Sequence, residues 1–195
     1  KKAERLLSQL PKLLSTIDLS EQDLRSGLVL LCTSGSMSQA AWVVHSQARL
    51  RQSAAIAAQS LHFTVKSRWR LNLPLYHVGG LGVLLRTQEA GARLLLADDE
   101  EQETHISLVP TQLQRLVDAD SFKSLLKVEC LLLGGAPLDN SLRRACFQAG
   151  VRACMSYGMS ETGALIAHTD LPGATSGQEV MKAESAGRLL SGWQV

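Results

Sequence analysis

The sequence predicts an α/β fold, a layered and largely parallel sheet flanked by helices, and three observations carry that expectation. Near-continuous apolar runs recur at Leu28 to Cys32, Trp69 to Leu73, Ala92 to Leu96, Ile106 to Val109, Val128 to Leu133 and Val151 to Met155. Runs of this length suit strands buried on both faces of a sheet. Helical patterns lie between several of them. Gly91 and Gly150 each follow a helical pattern and precede a strand, where a left-handed residue closes the helix.

In chain order, the opening 26 residues are polar and helical and read as a packing arm, bounded at 1–27. The strand Leu28 to Cys32 follows. Ser46 can cap a helix whose Leu50, Ala54, Ala57 and Leu61 share one face. Pro110-Thr111 opens another, carrying Leu113, Leu116 and Val117, directly after a strand. Asp139 can cap a third, with Leu142, Ala145 and Cys146 on it. Such alternation implies right-handed crossovers between parallel strands. From Leu171 to Glu184 the chain is rich in Gly, Ser, Thr and Ala without periodicity and reads as a loop, and Ser191 to Val195 reads as part of a strand. The expected organisation is an arm at 1–27, an α/β core at 28–170, and a loop leading to a β segment at 171–195. With no initiator Met, and a last residue inside a strand pattern, both ends read as cut.

Composition narrows the function. The chain has 195 residues, 45% of them hydrophobic, enough to bury a sizeable core. Charged residues make up 19% and the net charge is +2, which argues against a nucleic-acid footprint or a membrane surface. Small molecules are the expected partners. Cys32, Cys130, Cys146 and Cys154 lack the close spacing of zinc ligands and read as reduced core thiols. No apolar stretch approaches the roughly 20 residues of a membrane span, and no secretory h-region follows the polar start. A cytoplasmic location is expected.

Three segments at the carboxyl ends of predicted strands carry candidate chemistry. Thr33-Ser34-Gly35-Ser36 is a hydroxyl- and glycine-rich turn whose amides and hydroxyls could hold phosphate oxygens, although such turns also serve structure alone. Gly134-Gly135-Ala136, with Pro137 after it, lets a flat ligand approach the backbone closely, or simply makes a tight turn. Ser156-Tyr157-Gly158-Met159-Ser160-Glu161 offers an aromatic face, hydroxyls and a carboxylate. A nucleotide with a metal-bound phosphate asks for that combination; a capped surface turn would also explain it. Taken alone, His77 reads as a satisfied core histidine.

Taken in order, these segments resemble the signature motifs of the adenylate-forming superfamily, which includes acyl-CoA synthetases, luciferases and peptide-synthetase adenylation domains. The resemblance runs from about Leu28 to Val195 and implies part of the large N-terminal domain of such an enzyme. Leu73-Pro74-Leu75-Tyr76-His77-Val78-Gly79-Gly80 and Ser107-Leu108-Val109-Pro110-Thr111-Gln112-Leu113 look most like the branch that ligates o-succinylbenzoate to coenzyme A.

By that resemblance Tyr157 stacks on adenine, with Gly134, Gly135 and Ala136 lining the adenine and acyl pocket beside Ser156 and Gly158. Ser160 contacts the α-phosphate, Glu161 binds Mg²⁺, and Thr33 to Ser36 cradle phosphate. His77 stands near the reacting carboxylate, with Gly79, Gly80 and Thr111 around an aromatic carboxylic acid. ATP, Mg²⁺ and coenzyme A are implied; a homodimer is compatible with the resemblance, and the sequence leaves the oligomeric state open. The implied chemistry has two steps: the carboxylate attacks the α-phosphorus, releasing pyrophosphate, and the coenzyme A thiol then displaces AMP. Positioning and charge stabilisation carry the first step.

Two departures stand out. Where the family's phosphate loop continues with Thr-Gly, a variable residue and Pro-Lys, this chain has Met37-Ser38-Gln39-Ala40-Ala41. The chain also ends before the ribose-binding aspartate and the C-terminal lid, so by itself it is not expected to complete the overall reaction. Three readings therefore stand at this point: a ligase, a relative that binds nucleotide or acid without turnover, and a generic α/β domain that would leave the Tyr76-His77 and Ser107 to Leu113 stretches unexplained.

Overall fold

The computed structural model describes residues 21–33, 42–169 and 187–193. The remaining residues include the predicted Leu171 to Glu184 loop and the altered Met37 to Ala41 segment, so those expectations lie outside the described residues. A short helix α1 (Glu21–Ser26) leads to β1 (Leu28–Cys32), β2 (Trp42–Ser46) and helix α2 (Gln47–Ser60). Next come β3 (Arg68–Arg70), α3 (Val78–Glu89), β4 (Arg93–Leu95), β5 (His105–Leu108) and α4 (Pro110–Asp118). After a 3₁₀ segment at Phe122–Lys127, the chain forms β6 (Cys130–Leu133), α5 (Asn140–Gln148) and β7 (Ala153–Met159). A 3₁₀ turn at Ser160–Thr162, β8 (Ala164–His168) and β9 (Arg188–Leu189) complete it.

Seven strands form the main sheet in the order β4-β3-β5-β6-β7-β8-β9. Every pair from β4 to β7 is parallel, whereas β8 and β9 join antiparallel. The predicted α/β layering therefore holds. The exception is Leu28 to Cys32, which pairs antiparallel with β2 in a separate two-stranded ribbon. Leu28, Val29 and Leu30 are only half-buried there, because a ribbon cannot cover both faces of its strands as a central sheet position does. The described part of the predicted terminal strand also differs: Ser191 and Gly192 form a turn, and the strand lies earlier, at Arg188–Leu189.

Side chains alternate across the sheet as the strand period dictates. Leu131 and Leu133 face Leu113, Leu125 and Leu142 on one side. Cys130, Leu132 and Cys154 face Ala57, Leu61, Trp69 and Val83 on the other. All four residues of β5 and all four of β6 are buried. The predicted caps are present: Arg49 N–H donates to Ser46 Oγ at 3.2 Å and Ser141 N–H to Asp139 Oδ1 at 2.7 Å. Gly91 and Gly150 take the left-handed conformation with φ of 61° and 75°. Cys130, Cys146 and Cys154 are free and buried. No helix among the described residues is long and apolar enough to cross a membrane.

The most deeply buried histidine among the described residues is His105. It is 1% exposed, packs edge-on to Phe63 at 4.8 Å, and its Nδ1 lies 2.8 Å from Thr104 Oγ1. Burial, opposed by a hydrogen bond to Leu61 and aided by the Arg86 charge, lowers its pKa to about 4.

Two outcomes follow for stability. Leu131→Ala, at a fully buried site, should cost about 2–5 kcal/mol in urea unfolding. Because the folded pKa of His105 lies below its unfolded value, its contribution is present above about pH 6.5 and is lost as pH falls toward 4. The thermal midpoint should therefore drop over that window more steeply in the wild type than in His105→Leu. Parallel curves would assign the pH dependence elsewhere.

Candidate functional site

A cavity of about 910 Å³ opens where the chain leaves β3, β5, β6 and β7, on the carboxyl side of the parallel strands, where open α/β sheets bind ligands. Of the residues singled out in the sequence, Thr33, His77, Gly79, Gly80, Gly134, Gly135, Ser156, Tyr157, Gly158, Ser160 and Glu161 line it. Ala136 and Thr111 do not; both are exposed just outside the wall. Ser34, Gly35 and Ser36 lie outside the described residues.

The β7 end builds the mouth. Beyond Met155, β7 leaves its parallel partner and pairs with β8, with a register shift between Tyr157 and Gly158. At Gly158 the two strands approach so closely that a Cβ would fall 1.7 Å from the Ala164 carbonyl oxygen. Ala164 itself has φ 99°, a conformation that costs of order 1–3 kcal/mol in a non-glycine residue and clusters at functional sites. Thr162 Oγ1 closes the following turn, accepting from Met159 N–H at 3.0 Å and donating to a backbone carbonyl. Tyr157 is consequently 47% exposed, and Glu161 stands in solvent at the mouth.

The opposite wall is the start of α3. His77 is its N-cap and is exposed, its ring 4.5 Å from that of Tyr76, which corrects the reading of His77 as a core histidine. Val78, Gly79 and Gly80 line the cavity, and first-turn amides of a helix have no intrahelical acceptor. The side chain missing at Gly80 serves the chain's own packing: a Cβ there would lie 2.2 Å from the Pro74 carbonyl oxygen. At Gly134 a Cβ would meet Ser156 Oγ at 2.2 Å, and that hydroxyl donates to the Leu133 carbonyl at 2.9 Å.

Sequence reading did not single out Arg86, and it changes the chemistry of the cavity. Its side chain lines the wall and is 3% exposed. The guanidinium lies 4.6 Å from the Trp69 ring centre, and burial lowers its pKa to about 10, which leaves it charged at neutral pH. Its Nε and the Oγ of Ser107, another wall residue, are buried without hydrogen-bond partners. Arg86 forms no ion pair among the described residues. A buried cation without a counter-ion is costly, and here it borders open space: the arrangement is suited to an anion. The available signal was its phase on α3, since Val83, Arg86 and Thr87 fall on the buried face.

Comparison with known proteins gives a consistent result. The family model described as AMP-binding enzyme matches residues 4–195. The 2-succinylbenzoate–CoA ligase of Haemophilus influenzae is 34% identical over 141 residues, which are 69% of this chain and 31% of that protein. The o-succinylbenzoate coenzyme A synthetase of Bacillus subtilis in complex with AMP superposes with a TM-score of 0.69 at 30% identity, covering 83% of this chain and 35% of that one. The same enzyme with ATP and magnesium ion gives 0.69 at 29% identity, with coverage of 83% and 35%. The chain thus spans about a third of the length of the relatives it matches.

Removing the Arg86 charge should separate stability from binding. Arg86→Met keeps the aliphatic packing and relieves an unpaired buried cation, so its thermal midpoint should equal or exceed that of the wild type, while its affinity for small dicarboxylates falls at least about tenfold. A markedly less stable variant with undiminished anion binding would make Arg86 a structural residue.

Proposed function

The chain belongs to the AMP-binding enzyme family, and from that premise we propose that it supplies the nucleotide and acid sites of an ATP-dependent ligase joining o-succinylbenzoate to coenzyme A through an acyl-adenylate. The observation that carries this reading is the pair of buried, unpartnered groups Arg86 Nε and Ser107 Oγ in the cavity wall. An acid with one carboxylate would have to spend it on Arg86 and leave none to react. o-Succinylbenzoate has two: one to meet the guanidinium and one to attack the α-phosphorus. The aromatic ring between them fits beside Leu73, Val78 and Val109.

The nucleotide belongs at the other end. Tyr157 offers its exposed face to adenine, and Ser160 and Thr33 offer hydroxyls to phosphate. No cluster of three or more His, Cys, Asp or Glu among the described residues could hold a resident ion. A lone carboxylate at the mouth suits Mg²⁺ that arrives on the nucleotide, because Mg²⁺ keeps most of its waters and binds through one or two carboxylates plus phosphate oxygens. Glu161 would hold it, and the ion would offset charge on the phosphates. The remaining work is orientation. The α3 amino terminus and His77 direct the reacting carboxylate, and the apolar wall excludes water around it. Such a ligase works in the cytoplasm, where ATP and coenzyme A are available.

Calorimetric titration with AMP, ATP·Mg²⁺ and o-succinylbenzoate tests this directly. Tyr157→Ala should weaken AMP and ATP alike, each by about tenfold. Glu161→Gln should weaken ATP·Mg²⁺ more than AMP, and equal losses would remove the metal assignment. His77→Ala should weaken the acid and spare AMP. Absence of binding by all three ligands would sink the proposal.

A further inference from the structure

One contact ties together two parts of the mouth that lie 115 residues apart in sequence: His45 Nε2 stands 2.6 Å from the carbonyl oxygen of Ser160. A carbonyl only accepts, so Nε2 carries the proton. Both ends of this bond are built in. His45 sits in β2 opposite Val29 of β1, and the next residue, Ser46, is the N-cap of α2. The same Ser160 carbonyl accepts Gly163 N–H at 3.2 Å, so it belongs to the turn that carries Glu161. That turn lies flat on the corner between β2 and α2: a Cβ on Gly163 would meet Leu50 at 2.9 Å and His45 Cε1 at 3.9 Å.

We propose that His45 is a positioning residue for the nucleotide site, clamping the Ser160–Glu161 turn to the ribbon that bears Thr33, so that the hydroxyl, the carboxylate and the ribbon meet the phosphates as one rigid set. The inference rests on the nucleotide reading given above. A turn that is hydrogen-bonded only within itself frays. Glu161 would then sample positions from which it cannot reach a phosphate-borne ion, whereas stacking on Tyr157 would continue.

The test uses the 195-residue chain as wild type, His45→Ala and His45→Gln, the last keeping an N–H donor at comparable reach. In His45→Ala, affinity for ATP·Mg²⁺ should fall about tenfold and that for AMP by no more than about threefold, with faster amide exchange across residues 159–163. His45→Gln should recover most of both. In a Glu161→Gln background, His45→Ala should add little further loss of ATP·Mg²⁺ affinity, since both act through one carboxylate. A merely structural histidine would lower the thermal midpoint and weaken both nucleotides equally. Equal losses, additive losses in the double variant, or unchanged exchange would each overturn the role of His45. If the wild type binds neither nucleotide, the site reading itself fails and takes the coupling with it. Normal wild-type binding with an unaltered ratio in His45→Ala removes only the His45 role.

Discussion

The site depends on one strand of the main sheet pairing in both senses, parallel along its first residues and antiparallel along its last. The first residues of β7 pair parallel with β6, and its last four pair antiparallel with β8. A strand that ended at Met155 would turn into a helix like its neighbours and leave a flat sheet edge. Because β7 continues, Ser156 to Met159 project past the other strand ends, and the chain returns through Ser160–Thr162 under tight backbone contact at Gly158 and Ala164. The strained φ of Ala164 is held by that return pairing, and the mouth of the cavity is built from it.

The cavity floor has the opposite character. Its buried charged residue, Arg86, is desolvated, rests on an indole face and forms no ion pair among the described residues, and the Ser107 hydroxyl has no hydrogen-bond partner. Such groups subtract from the stability of the empty protein and are recovered when a ligand supplies the missing partners. The apolar contacts on both faces of β5 and β6 are what tolerate that cost. Binding capacity and fold stability are thus drawn from different layers of the same sheet.

Much of this was legible in the sequence, and the misses have physical causes. Fully buried parallel strands announce themselves by unbroken apolar runs, and Ser46, Asp139, Gly91 and Gly150 mark helix ends through local chemistry alone. Leu28 to Cys32 carries the same apolar signature but is covered on one side only, a distinction that no run of letters contains. β8 hides because Ala164 to His168 opens immediately after the Ser160–Thr162 turn, with no helix before it to set it apart. His77, which taken alone reads as a core residue, is exposed, while His105, which had no sequence signal, is buried, since burial depends on which neighbours a histidine finds. Arg86 escaped notice because an arginine on a helix is ordinarily solvated, and only the tertiary fold turns its face inward. Eight of the eleven anticipated residues around the cavity share a place at strand ends that the sequence displayed, whereas His77, Gly79 and Gly80 came through the family resemblance alone and the contact between His45 and Ser160 had no signal.

The glycines of the wall set limits on how the pocket can change. Gly80 and Gly158 abut backbone carbonyls, and Gly134 abuts a hydroxyl that is itself engaged. A side chain at Gly80 or Gly158 would have to displace the main chain, and one at Gly134 would push the Ser156 hydroxyl from its bond to Leu133, so these surfaces resist substitution. Room for change lies instead at Leu73, Val78, Ser107 and Val109, which line the cavity and carry side chains. The scaffold thereby separates a rigid frame from a small set of exchangeable positions, and the shape of the cavity can be altered without reopening the folding problem.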